Sequence, residues 1–238
     1  LSLHDALPIF SYPDERVTGG NAAELAGRAF DPLSVMLVRN PDARPLPAAH
    51  GLPDGACVRG GPPMPKEEVR AVSVAKLRLR RGMTVWDVGA GTGSVSVELA
   101  LLHPSVRVWA VERNDEACGL IAKNREKFGA YNLHLVQGKA PDALLDLPAA
   151  DAAFLGGSGG SLRRSLEILR EKNPAVRVCI SAIAAETLAS AVTLLSGEDW
   201  GNLEISQISA ARSRKAGPYH LMTGQNPIWL LSARGTTL

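Results

Sequence analysis

The run VWDVGAGTG (85–93) carries the clearest chemistry in the sequence. Glycines at 89, 91 and 93 let a backbone turn sharply and approach a ligand with no Cβ in the way. SVSVELALL (94–102) follows at once and reads as a helix, with Ser94 as its N-cap. A helix start offers unpaired N–H groups to a carboxylate or phosphate. The next β-branched run, VRVWAVE (106–112), ends in Glu112, about 20 residues beyond the glycines, where a carboxylate accepts ribose hydroxyls.

Two ligands compete for such a loop. The dinucleotide fingerprint G-x-G-x-x-G requires a third glycine at position 94, which here is Ser94. The observed G-x-G-x-G, with Asp87 two residues before Gly89, suits S-adenosylmethionine instead. That ligand has no pyrophosphate and needs contacts for an amino-acid end, a ribose and an adenine. Gly89, Ala90, Gly91, Thr92 and Gly93 are therefore its expected loop. A nicotinamide or flavin dinucleotide, and a turn that binds nothing, remain alternatives.

Further candidates follow later strands. QGKAP (137–141) places small Ala140 where a flat adenine needs room; a plain strand–helix joint with Pro141 at the first helical position is the competing reading. FLGGSGG (154–160) is glycine-rich at the strand end where ligands bind in open α/β sheets. Gly156, Gly157, Ser158 and Gly159 would let a bulky flat acceptor approach a methyl donor. The stretch lacks the Gly-Lys-Ser/Thr ending of a phosphate-binding loop.

These loops need elements to hold them. Short apolar runs read as strands at 83–91, 106–112, 132–138, 151–157, 175–182, 203–212 and 226–233. Helical patterns fall at 66–79, 94–102, 115–129, 141–147, 162–173 and 185–197, with Asn114 or Asp115 capping the third and Gly129 stopping it. The alternation predicts an α/β fold with a mainly parallel seven-stranded sheet, ending in an antiparallel C-terminal hairpin. Trp86 and Trp109 fall within strands as core residues.

Composition narrows the class. The chain has 238 residues, 45% of them hydrophobic, with 26 Lys+Arg against 24 Asp+Glu. That balance argues against a nucleic-acid partner. No apolar run reaches the ~18 residues that span a bilayer, so no membrane is expected. Three scattered cysteines argue against a disulfide framework or a zinc site and suit a cytoplasmic location. Prolines and glycines crowd residues 40–65, where neither helix nor strand should persist. Residues 1–50 and 51–238 are thus separate expectations: NAAELAGRAF (21–30) a short helix and LSVMLV (33–38) a strand upstream, the main domain downstream. The chain opens with Leu1, which reads as a fragment or processed product, and LSLHDALPIF (1–10) as an assembly artefact outside the fold.

The segments PMPKEEVRAVSVAKLRLRRGMTVWDVGAGTGSVSVELALL, AVER, QGKAPDAL, AAFLGGSGGSL and ARSRKAGPYHLMTGQNPIWLL together resemble the decarboxylating precorrin methyltransferases of cobalamin biosynthesis, over about residues 51–234. The resemblance implies a class I S-adenosylmethionine-dependent methyltransferase (Rossmann-like). It would methylate carbon 15 of a precorrin and remove the carboxylate of the acetate at carbon 12. It places the cofactor loop on residues 89–93, the ribose acid on Glu112 and the adenine-side residue on Ala140. Pro65 stands where the family usually has a threonine, so a side-chain hydrogen bond to the cofactor is lost there. Residues 13–38 resemble the end of the domain that methylates carbon 5 in fused versions, whose body is absent. A homotetramer is also implied.

The acceptor carries acetates and propionates, which suit arginine forks. Arg212 and Arg214, with Lys215, are candidates in a loop between the last two strands; a solvated basic turn is the competing reading. Decarboxylation needs an acid, for which His220 and Tyr219 are candidates, His220 foremost. Two alternatives stay open: methylation of another small molecule or RNA, and a non-catalytic S-adenosylmethionine-binding assembly module.

Overall fold

The computed structural model describes residues 16–32, 34–39, 51–157 and 160–237. Contacts divide the chain after Pro45. In the upstream unit, α1 (Ala22–Leu25) is a single turn, closed by a capping box between Asn21 and Glu24. The helix expected over 21–30 is cut short at Ala26 and Gly27, the latter with φ +80°. The strand expected over 33–38 is not there: residues 34–38 form neither helix nor strand, and Leu33 lies outside the described residues. Val35, Met36, Leu37 and Val38 are exposed, and no strand pairs with them among the described residues.

The downstream unit alternates as expected. Its elements are α2 (Glu67–Leu77), β1 (Thr84–Val88), α3 (Ser94–Leu101), β2 (Arg107–Glu112), α4 (Asp115–Phe128), β3 (Leu133–Gln137) and β4 (Ala152–Leu155). Then come α5 (Leu162–Lys172), β5 (Arg177–Ala182), α6 (Ala185–Leu195), β6 (Trp200–Ile208), β7 (Ala211–Ala216), β8 (Tyr219–Gly224) and β9 (Ile228–Gly235). Asn114 caps α4 by accepting from the Ala117 amide, and Gly129 ends it in the left-handed region. Ser94 is the first residue of α3 and Gly93 is its cap. The helix expected at 141–147 is only a 3-10 turn, Asp142–Leu144.

Seven strands form one sheet in the order β3-β2-β1-β4-β5-β9-β6. The first five are parallel, and β9 is antiparallel to both β5 and β6. Alternate residues serve opposite faces. Val85, Val108 and Phe154 pack with α2, α3 and α4, while Trp86, Val111 and Leu155 pack with α5 and α6. Trp86 is fully buried; Trp109 is half-buried and stacks on His134 at 4.8 Å. The segment 203–212, expected as one strand, splits. β6 ends at Ile208, and β7 leaves the sheet to form a separate two-stranded hairpin with β8. The three cysteines are free and buried.

Candidate functional site

The parallel strands end along one edge, and every loop leaving that edge opens into a cleft of about 1020 Å³. Gly89–Gly91 follow β1, Glu112 ends β2, Lys139 and Ala140 follow β3, and Gly156 and Gly157 follow β4. Because β9 runs the other way, its first residue, Ile228, reaches the same edge, along with Gln225 and Asn226.

The glycine loop is held by the sheet itself. The amides of Gly89 and Ala90 both donate to the Val111 carbonyl, at 2.9 and 3.2 Å. Gly89 has φ +74°, and a Cβ there would stand 2.5 Å from the Gly157 carbonyl oxygen. The two glycine motifs are thus one feature: the β1 loop packs backbone to backbone on the β4 loop. Gly91 has φ +55°, and its missing Cβ would face the Pro63 carbonyl at 3.2 Å, so its glycine makes room for the chain opposite.

Glu112 is fixed by main-chain donors. One carboxylate oxygen accepts from the Gly91 amide at 2.9 Å; the other accepts from the amides of Arg113 and Asn114 at 2.8 and 2.9 Å. Asp87 lines the same cleft yet is almost wholly buried. Its Oδ2 accepts from the Ser96 hydroxyl, while its Oδ1 has no partner among the described residues. Burial pushes its carboxyl up to about 7; the Ser96 bond opposes this and the Glu112 charge adds to it. An orphaned, buried carboxylate oxygen at the glycine loop fits a ligand that brings its own cation, as the ammonium of S-adenosylmethionine does. A pyrophosphate would be repelled there.

One wall is a strap, residues 51–66, that the proline pattern marks as lacking helix and strand. It carries only a 3-10 turn, Asp54–Ala56, but it is firmly tied. With no ladder to join, its backbone is satisfied by side chains of α3 and α4. The amide of Gly51 donates to Glu98, that of Val58 to Asn124, and that of Gly61 to Glu116. Arg70 of α2 clamps it from below. Its Nε donates to Glu98 at 2.8 Å, its Nη1 to Asp54 at 2.6 Å and to the Pro65 carbonyl at 2.7 Å, and its Nη2 to the Leu52 carbonyl. Burial works against the Asp54 charge, but Arg70 and Arg212 hold its carboxyl below the usual range. Sequence reasoning missed this network. One signal was available: Glu98 is the only charged residue in the apolar run SVSVELALL and needs a buried partner.

The remaining candidates divide. Ala140, Gly156, Gly157 and Pro65 line the cleft, whereas Thr92 and Gly93, expected in the cofactor loop, are buried and do not line it. Ser158 and Gly159 lie outside the described residues. Arg212, expected to receive acceptor carboxylates, is instead engaged. Its Nε and Nη2 donate to Glu68 at 2.9 and 2.6 Å, and its Nη1 donates to Asp54 at 2.6 Å. It sits on β7 rather than in a loop, which turns it toward the strap. Arg214 and His220 are exposed on the β7–β8 hairpin and do not line the cleft. The structure therefore does not bring His220 to the place where chemistry would occur.

A family model for the precorrin methyltransferase domain matches residues 58–234. The chain belongs to the precorrin methyltransferase family. A probable cobalt-precorrin-6B C(15)-methyltransferase (decarboxylating) from Pyrobaculum calidifontis is 43% identical over 189 residues, covering 78% of this chain and 96% of that protein. The cobalt-precorrin-6B C(15)-methyltransferase (decarboxylating) of Salmonella typhimurium is 36% identical, covering 72% and 89%. Among solved structures, a precorrin-6y C5,15-methyltransferase from Geobacter metallireducens superposes with a TM-score of 0.73 at 34% identity, over 78% of this chain and 96% of the other. The fold is that of the class I S-adenosylmethionine-dependent methyltransferases.

Proposed function

We propose that this chain methylates carbon 15 of a precorrin, with S-adenosylmethionine as donor, and removes the carboxylate of the acetate at carbon 12. The relatives named for that reaction align along nearly their whole length. The observation that carries the reading is the single cleft in which a cofactor edge and an open acceptor edge meet. Gly89–Gly91, Asp87 and Glu112 form the first; Gly156 and Gly157, which present no side chain, form the second.

Bound in that cleft, S-adenosylmethionine supplies an electrophilic methyl group. Glu112, already oriented by three amides, would hold ribose hydroxyls. Asp87 would face the ammonium, and Ala140 would border the adenine. The strap and the glycine edges then exclude water and fix the approach of the acceptor carbon. Positioning of this kind suits a reaction whose donor is already activated and whose acceptor carbon is electron-rich. The test is a single-turnover assay with labelled S-adenosylmethionine and a precorrin, following methyl incorporation and carbon dioxide release together. Absence of both refutes the proposal; methylation of RNA instead would favour the other enzyme reading.

Our reading further includes a homotetramer acting in the cytoplasm, with residues 13–38 as the end of a carbon 5 methylase domain. A precorrin-6Y C(5,15)-methyltransferase [decarboxylating] from a Sinorhizobium species supports the last point, since it aligns with 90% of this chain but only 51% of itself. Sedimentation velocity tests the tetramer.

A further inference from the structure

Three cationic side chains line the cleft: Lys66, Arg113 and Lys139. Arg113 and Lys139 are exposed, whereas Lys66 is half-buried. Its surroundings make this unusual. The nearby cations of the strap network are saturated: Arg70 by Asp54 and Glu98, Arg212 by Glu68 and Asp54. The Lys66 ammonium has no ion pair or hydrogen bond among the described residues. A half-withdrawn ammonium that stays unpaired in a cleft is suited to an anion brought by a ligand.

Topology says which part of the cleft it serves. Helix α2 packs against β4, β5 and β9. Its C-terminus leads through Arg78–Met83 into the start of β1, at the amino edge of the sheet. Its N-terminus, preceded by Lys66, therefore lies at the carboxyl edge, on the β4–β5 side. The ribose acid Glu112 and Ala140 belong to the β2–β3 side. Gln225 and Asn226, before β9, also line the cleft, and β9 pairs with β5, on the side where Lys66 lies.

We propose that Lys66, bordered by the Gln225 and Asn226 amides, forms a subsite for a peripheral carboxylate of the acceptor. This rests on the precorrin reading above, since such an acceptor carries acetate and propionate groups. The cofactor also carries one carboxylate, so the experiment must separate the two sources.

The probes are a precorrin in its free-acid form, the same compound as its methyl ester, and S-adenosylmethionine, each titrated separately into the full chain. Wild-type protein should bind the free acid at least about tenfold more tightly than the ester, the scale of one charge-assisted hydrogen bond. Lys66→Gln should lose most of that preference, while Lys66→Arg, which keeps the charge, should retain it. Affinity for S-adenosylmethionine should stay within about twofold in both variants, because no ion pair to the cofactor is removed. An undiminished acid preference in Lys66→Gln overturns the subsite. So does a selective fall in S-adenosylmethionine affinity, which would assign the ammonium to the cofactor's carboxylate. If the wild-type chain binds neither precorrin form, the proposed function falls and takes this subsite with it.

Discussion

Replacing Asp87 with asparagine should stabilise the protein while weakening its grip on the cofactor. Unfolded, the carboxyl titrates near 3.8; folded, burial holds it at about 7. Between those values the native state keeps a proton that the unfolded chain has released. Stability therefore falls as pH rises through that window, and levels off above about 7. Roughly three pH units correspond to about 4 kcal/mol. Asparagine has nearly the same shape, can still accept from the Ser96 hydroxyl and does not titrate. Relative to wild type, the variant should gain up to about 4 kcal/mol on going from pH 4 to pH 8. Urea denaturation at both pH values, followed through tryptophan fluorescence, measures that difference directly. Calorimetric titration with S-adenosylmethionine at pH 8 should show the opposite sign, because the buried carboxylate's unpartnered Oδ1 is lost as a cation partner. A variant-to-wild-type stability difference that is the same at both pH values would refute the argument. It would mean that Asp87 pays no burial cost and that its environment is wetter than the structure shows.

Three further outcomes follow from contacts described above. Glu112→Ala should weaken S-adenosylmethionine binding by about 1–3 kcal/mol, and it also strips an acceptor from three amides; calorimetry showing unchanged affinity would remove Glu112 from the site. Gly89→Ala should cost about 1–3 kcal/mol of stability and most cofactor binding, since its Cβ meets the Gly157 backbone; a fully active alanine variant would mean the two loops part easily. Arg70→Met should destabilise by about 3–5 kcal/mol, because the fully buried Glu98 loses its counter-ion and keeps only the Gly51 amide; a loss below about 1 kcal/mol by chemical denaturation would show that water reaches that carboxylate.

Much of the fold was legible because it is local. Helix α4 carries both of its signals, Asn114 at one end and Gly129 at the other, and both act as the sequence suggests. The five parallel strands are short apolar runs bounded by glycine or polar residues. The failures have physical causes too. LSVMLV has strand composition, but a strand exists only with a neighbour. PDALLDL has helical composition, yet α-helix formation stops after a single 3-10 turn. The break at Ser209 and Ala210 goes unmarked in LEISQISAAR because no glycine or proline punctuates it. The turn at Gly217, with φ +61°, was the available clue to the extra hairpin.

The site was legible to the extent that backbone made it. Glycine spacing located the loop that lines the cleft, because an absent Cβ is a property of the residue itself. Charged side chains are different: which of them is available depends on what stands opposite, from a distant part of the chain. Arg212 and Lys66 make the contrast. An arginine in a basic stretch suggests an anion site, yet Glu68 and Asp54, more than 140 positions away, fill its guanidinium. Lys66 stands beside two glutamates, Glu67 and Glu68, in a segment that reads as the solvated start of a helix. Arg212 takes Glu68, Arg70 and Arg212 share Asp54, and the lysine is left facing the cleft unpaired. Of the three cations that line the cleft, Lys66 alone is half-buried, so it is burial in the fold, and not residue type, that marks it as the one to receive an acceptor.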